Sequence, residues 1–364
     1  MKKVIARNLK KYRKGLGITQ EQLAEEIGIS RGSINNYENG KSLPTGKVLS
    51  LMANALEVSA DALLREDEKF RKFRFRANVS FYQSPQFKTK VSELIDEYSK
   101  LEECCGLNKY APETIPCIRK KGNEKLIQDV ANQFRSRLGA GQEPFNNFFR
   151  EVEKIGLKCL RLPIDIKGFF GLSAWSENDG AFIMVNTKNI TIERQLYTLA
   201  HEIGHLIFHR FEYDDNIRVN DDKNNREQEE VANYFANHLL ISAKAFEELL
   251  HSVHSIVELK KHFRVSYLVI LKRLEEMSLI SYDDFLRKIC LNYRRQSGKP
   301  LKRSMELPPA LNGCDFPENE RYKSLIFKAL EKEEITENKA SELLGISLNK
   351  VREARIQGEE IFVA

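Results

Sequence analysis

Two histidines four residues apart, His201 and His205, with Glu202 directly after the first, constrain this chain more than any other stretch of its 364 residues. The arrangement works only on a helix, so the local pattern has to supply one. From Thr191 to His209 the apolar residues Ile192, Leu196, Leu199, Ala200, Ile203, Ile207 and Phe208 recur at helical spacing, with no proline and only Gly204 as a glycine. The periodicity predicts a helix. Its turn places both histidines on one face, Cβ atoms about 5–6 Å apart, so both imidazoles can reach one metal ion. Glu202 is rotated about 100° from His201 and is better placed to hold a water at such an ion than to ligate it. Gly204 leaves room for another backbone to approach.

A zinc site that performs chemistry usually takes three protein ligands and keeps a fourth position open. Glu229 is the candidate third ligand. Ala232, Ala236, Leu239 and Leu240 follow it at offsets of three, seven, ten and eleven, a narrow apolar face. A carboxylate at the start of that face points inward and needs a cation or several donors. Asn233, one turn on, is placed to steady a ligand by hydrogen bonding, while Glu230 faces solvent. His209, four residues past His205, is open to three roles: a fourth ligand, a donor to the reacting group, or the favoured one, packing and hydrogen bonding behind His205. His238 reads as ordinary surface or core, and His251, His254 and His262 lack ligand spacing. Phe208 and Phe211 stand where a metzincin needs glycine and histidine, so that pattern fails.

Near the N-terminus, Thr19 caps a short helix with Gln22 three residues on and an apolar face of Leu23, Ala24 and Ile27, closing at Gly28. Ser30 then caps a second helix whose Ile34 and Tyr37 point inward. This is a helix-turn-helix. On the second helix Arg31, Gly32, Ser33 and Asn35 face outward toward base edges, and Gln20 and Asn39 are placed for backbone phosphates. Seven Lys or Arg residues and no acid between Lys2 and Lys14 suit phosphate neutralisation. In the tail, Thr336 to Ser347 with Val351 repeats the spacing of Thr19 to Ser30 with Ile34, but acids balance its basic residues, which favours protein contact over DNA.

His-Glu-Ile-Gly-His on a helix, followed by the helix from Glu229 to Leu240, resembles the ImmA/IrrE peptidases. The run Thr19 to Pro44 resembles the phage-repressor, or XRE, family. The first resemblance implies zinc bound by His201, His205 and Glu229, with Glu202 as general base. Gly180–Asn186 looks like that family's strand before the active helix, and Val265–Tyr267 with Arg273–Leu274 like its C-terminal helices. Ser242 departs from a proline common there, at a helix end away from the chemistry. The implied fold is α+β, mainly α. Residues 1–66 form a five-helix helix-turn-helix domain and 67–121 a helical connector. Residues 122–306 form a zincin-like peptidase domain with a small sheet, and 307–364 a helical, helix-turn-helix-like tail.

Six cysteines without a C-x-x-C pair, no signal peptide and no long apolar run predict a cytoplasmic protein with reduced thiols and no membrane contact. The expected function is a DNA-binding transcriptional regulator that is also a zinc endopeptidase. Its expected partners are a double-stranded operator and a repressor or antitoxin-like protein substrate, with a homodimer left open. Gly180–Asn186 is expected to pair with extended substrate by edge addition. The rivals are a transcription factor whose peptidase fold senses a ligand or partner, and an antitoxin-like binding module. Intact ligands together with Glu202 favour the enzyme.

Overall fold

The computed structural model describes residues 1–64, 72–76, 85–117, 119–212, 222–302 and 304–357. The chain forms two compact units, Met1–Arg71 with Ala77–Ser99, and Lys72–Arg76 with Lys100–Ala364. The expected boundary at 66/67 lies outside the described residues.

The first unit holds helices α1 (Lys2–Gly15), α2 (Gln20–Ile27), α3 (Arg31–Glu38), α4 (Gly46–Ala55) and α5 (Ala60–Leu64), and most of α6 (Pro85–Cys104). α2 and α3 are eight residues each, too short to persist alone. Their ends are therefore fastened. Thr19 Oγ1 accepts from the Gln22 amide at 3.1 Å while Gln22 Oε1 accepts from the Thr19 amide at 2.8 Å, and Gly28 closes the helix at φ 72°. Ser30 Oγ accepts from the Ser33 amide at 3.1 Å. Leu9, Leu23, Ile34, Met52, Leu56 and Leu63, all fully buried, make the core.

The second unit is built on a four-stranded sheet: β1 (Lys72–Arg76), β2 (Lys158–Leu162), β3 (Gly171–Ser176) and β4 (Gly180–Asn186), in the order β1-β3-β4-β2. β4 is antiparallel to β3 and parallel to β2. All seven residues of β4 are buried, as a strand covered on both faces requires. Its central place corrects an expectation: with β3 and β2 on its two sides, β4 has no edge to offer an extended substrate. The connector is not wholly helical either. Lys72–Arg76 is a strand paired antiparallel to β3, and the irregular segment before α7 joins β4 and α9 through Ala181 N–H donating to the Tyr110 carbonyl at 2.8 Å and Ile115 N–H donating to the Ile207 carbonyl at 2.9 Å.

Around this sheet stand α7 (Glu124–Arg137), α8 (Phe148–Lys154), α9 (Ile192–Phe208), α10 (Asp222–Leu240), α11 (Ala243–Leu250), α12 (Ile256–Phe263), α13 (Tyr267–Glu276), α14 (Tyr282–Ser297), α15 (Glu320–Glu331), α16 (Glu337–Leu344) and α17 (Leu348–Gln357). α9 packs on β3 and β4, and α10 packs on α9 and α7. The approach of α10 to α9 depends on Gly204, where an added Cβ would stand 3.1 Å from Phe235 Cδ1 and 3.2 Å from Ala232 Cα. The tail is tied to the sheet by Arg161 on β2, 2% exposed. Its guanidinium donates to Gln195 Oε1 at 2.8 and 3.0 Å and to the Phe316 carbonyl at 2.7 Å, and lies 4.2 Å over the Phe149 ring. Asn319 exchanges hydrogen bonds with the Arg161 backbone at 2.7 and 3.0 Å.

Candidate functional site

Thr191 caps α9 by accepting from the Arg194 amide, and nearly every residue from Gln195 to Phe208 is buried. His201 and His205, 0% and 1% exposed, project together from this helix, while Glu229 enters from α10. His201 Nε2 and His205 Nε2 are 2.9 Å apart, and Glu229 Oε2 and Oε1 lie 3.3 and 3.2 Å from them. Ligand atoms about 2.0–2.2 Å from zinc at tetrahedral angles stand roughly 3.3–3.6 Å apart, so these three fit one ion within a few tenths of an ångström. Among the described residues they are the one His/Cys/Asp/Glu group that could hold a metal.

The supporting hydrogen bonds set the tautomers. Asn233 Oδ1 lies 2.9 Å from His201 Nδ1 and 2.8 Å from the Tyr197 hydroxyl, and an amide oxygen can only accept. His201 therefore carries its proton on Nδ1. His209 Nε2 lies 2.9 Å from the Cys117 carbonyl, which also only accepts, so His209 Nδ1 is left to accept from His205 Nδ1 at 3.0 Å. Both ligand histidines then turn Nε2 lone pairs toward each other and toward Glu229. Two lone pairs and an anion facing one another are relieved by a cation, which is the donor set zinc prefers.

Glu202, 0% exposed, accepts at Oε2 from Ser173 Oγ on β3 at 2.6 Å. Gly171 brings β3 this close, since a Cβ there would stand 2.6 Å from Thr198 Cγ2 and 2.8 Å from the Met184 carbonyl. Ser173, Tyr197 and the Cys117 carbonyl hydrogen-bond to side chains of the candidate site, and sequence reasoning missed them. Tyr197 was findable, one turn before His201 on the same face; a lone strand serine gives no signal. His238 is buried against Arg273 and Glu276, and burial with Arg273 nearby lowers its pKa to about 4, which makes it a neutral core group.

In the first unit Arg31, Gly32 and Asn35 are exposed and Ser33 is half-buried. Asn39 Nδ2 donates to the Asn35 carbonyl and Oδ1 at 2.8 and 2.9 Å. Gln20 Nε2 donates to Glu38 Oε2 at 2.7 Å, so its amide is engaged within the fold. Arg13 drops out of the basic run: its Nε and Nη2 donate to Glu38 at 2.5 and 3.0 Å, and both residues are buried. Lys2, Lys3, Arg7, Lys10, Lys11 and Lys14 remain exposed.

Residues 9–63 match the family model described as Helix-turn-helix, and residues 152–275 match the one described as IrrE N-terminal-like domain. The HTH-type transcriptional regulator ImmR of Bacillus subtilis is 34% identical over 128 residues, which are 35% of this chain and 95% of that protein. The chain belongs to the HTH-type transcriptional regulators. An uncharacterised regulator of the same organism, YqaE, is 34% identical over 95 residues, 26% of this regulator and 82% of that one. The Cryptic phage CTXphi transcriptional repressor RstR of Vibrio cholerae is 48% identical over 59 residues, 16% of this chain and 53% of that repressor, so this chain spans about half its length. No described helix is long and apolar enough to cross a membrane.

Proposed function

We propose that this regulator is a zinc-dependent endopeptidase, and that His201, His205 and Glu229 hold the metal. The observation that carries the reading is the pair of outer hydrogen bonds, donated by His201 to Asn233 and by His205 to His209, that turn both Nε2 lone pairs onto the Glu229 carboxylate. A divalent cation held there supplies a Lewis acid for amide hydrolysis. Glu202 acts as general base: Ser173 fixes its Oε2, and Oε1 takes the proton of the attacking water and passes it to the leaving amine. The buried walls from α9 and β3 keep bulk water from competing for that proton.

The helix-turn-helix unit binds a double-stranded operator. In this reading Arg31, Gly32, Ser33 and Asn35 meet base edges, and Asn39, Gln20 and the exposed lysines of α1 meet phosphates. The substrate in this reading is a regulatory protein of the repressor or antitoxin kind, the kinds of protein that this chain's own helix-turn-helix unit resembles. The test is purified protein incubated with proteins encoded beside it, with metal measured in the same sample. Glu202→Gln should keep fold and about one zinc per chain while hydrolysis falls by roughly 10²–10⁴-fold, and Glu229→Gln should weaken zinc retention about 10-fold or more. Regulation that survives Glu202→Gln intact would replace the enzyme by a sensor.

A further inference from the structure

β3 lies beside the catalytic glutamate, and one of its edges is taken by β4. A polypeptide that reached Glu202 in extended form would add to the other edge, where the strand's outward N–H and C=O groups give affinity without regard to sequence. That edge is already filled. Lys72–Arg76 pairs there antiparallel, with Phe73 opposite Ala174, Arg74 opposite Ser173 and Phe75 opposite Leu172. Arg74 thus stands one strand spacing, about 4.8 Å, from the serine whose hydroxyl holds Glu202. The occupant is also foreign to its surroundings in chain order: Leu64 before it and Val91 after it belong to the first unit, while the strand belongs to the second.

We propose that Lys72–Arg76 occupies the backbone position of the protein substrate, so that this segment, covalently tethered beyond the DNA-binding helices, is a built-in competitor of the peptidase. The substrate class is an extended polypeptide strand added antiparallel to β3, and cleavage requires that β1 first leave. A tethered strand acts at an effective concentration in the millimolar range, high enough to exclude a dilute substrate while leaving a tight one able to compete.

The inference rests on the peptidase reading, and its test separates the two. Successive residues of an antiparallel strand alternate between bonded and unbonded pairs, so replacing both Phe73 and Arg74 by proline removes at least one N–H from the β1–β3 ladder. The probe is a fluorescein-labelled peptide of residues 70–78, Phe-Arg-Lys-Phe-Arg-Phe-Arg-Ala-Asn. In a zinc-loaded Glu202→Gln chain, where nothing is cut, the Phe73→Pro/Arg74→Pro form should bind it about tenfold or more tightly than the form with β1 intact, measured by anisotropy. Equal affinity, or no binding by either, overturns the proposal. Should the double-proline chain lose its native circular dichroism, amide exchange decides: excess peptide on the Glu202→Gln chain should speed exchange across Lys72–Arg76, and unchanged exchange overturns the proposal. A double-proline chain with Glu202 restored that binds the peptide tightly yet cuts neither it nor casein would leave the strand assignment standing and remove the peptidase.

Discussion

Gly204→Ala is the most exacting test of how α9 and α10 make the proposed metal site. The new methyl would meet Phe235 Cδ1 at 3.1 Å, Ala232 Cα at 3.2 Å and the Ala232 carbonyl oxygen at 3.4 Å. Two of these are backbone, and comfortable carbon contacts begin near 3.5–4.0 Å, so α10 must retreat by about 0.5 Å. Two stability terms oppose each other. Alanine in a helix interior gains about 1 kcal/mol over glycine, and overpacking costs about 1–3 kcal/mol, so the metal-free protein should lose between nothing and about 2 kcal/mol. The metal site has no such compensation. Glu229 is one turn before Ala232 on the same helix, and a shift of about 0.5 Å carries its carboxylate out of the roughly 2.0–2.2 Å bonding range. Zinc affinity should fall about 10-fold or more, measured by competition with a chromophoric chelator beside thermal unfolding of the metal-free form. If the variant gains the full helix-propensity increment and keeps its zinc affinity, the helices are free to separate and the close approach does not set the site.

His209→Phe keeps a ring behind His205 but removes its acceptor, so zinc affinity should drop about 10–100-fold with little change in secondary structure; unchanged affinity would dissolve the relay through Cys117. Arg31→Ala should cost about 1–3 kcal/mol of discrimination between operator and scrambled DNA, whereas Lys10→Ala should weaken binding to both and flatten its salt dependence, as titrations at several salt concentrations would reveal. At Glu38, burial raises the pKa, but hydrogen bonds from Arg13 and Gln20 outweigh it and bring the group below its ordinary 4.5. The folded pKa is the lower one, so the stabilisation is complete above about 4.5 and fades as pH falls through the folded value. Glu38→Gln should destabilise the first unit by about 3–5 kcal/mol at neutral pH and shrink its loss of stability between pH 5 and 3, in denaturant titrations across that range.

What could be read from sequence was local in origin. The period of α9 put His201 and His205 on one face, and the small residues after Glu229 marked the face that packs on Gly204, so both sides of the candidate site are legible in local pattern. Non-local pairing was a different matter. Whether Gly180–Asn186 is a central or an edge strand depends on what Lys158–Leu162 and Gly171–Ser176 do, and a continuous apolar run looks the same in either place. The aromatic and basic stretch that contains Lys72–Arg76 reads equally well as a nucleic-acid contact or as a docking strand or helix edge until β3 is there to pair with it. Arg13 could not be told from the other basic residues of α1, because only the fold brings Glu38 beneath it.

Arg161 decides how the chain may be divided. A fragment ending before Asn312 would keep Gln195 and the Phe149 ring but lose the Phe316 carbonyl and both hydrogen bonds of Asn319. The guanidinium, 2% exposed in the whole chain, would be uncovered to water and keep Gln195 as an acceptor, and hydrogen bonds to a charged group are worth about 1.5–3 kcal/mol each, a sizeable share of what holds an ordinary domain together. The C-terminal helices are therefore part of the second unit's folding, not baggage that excision can shed.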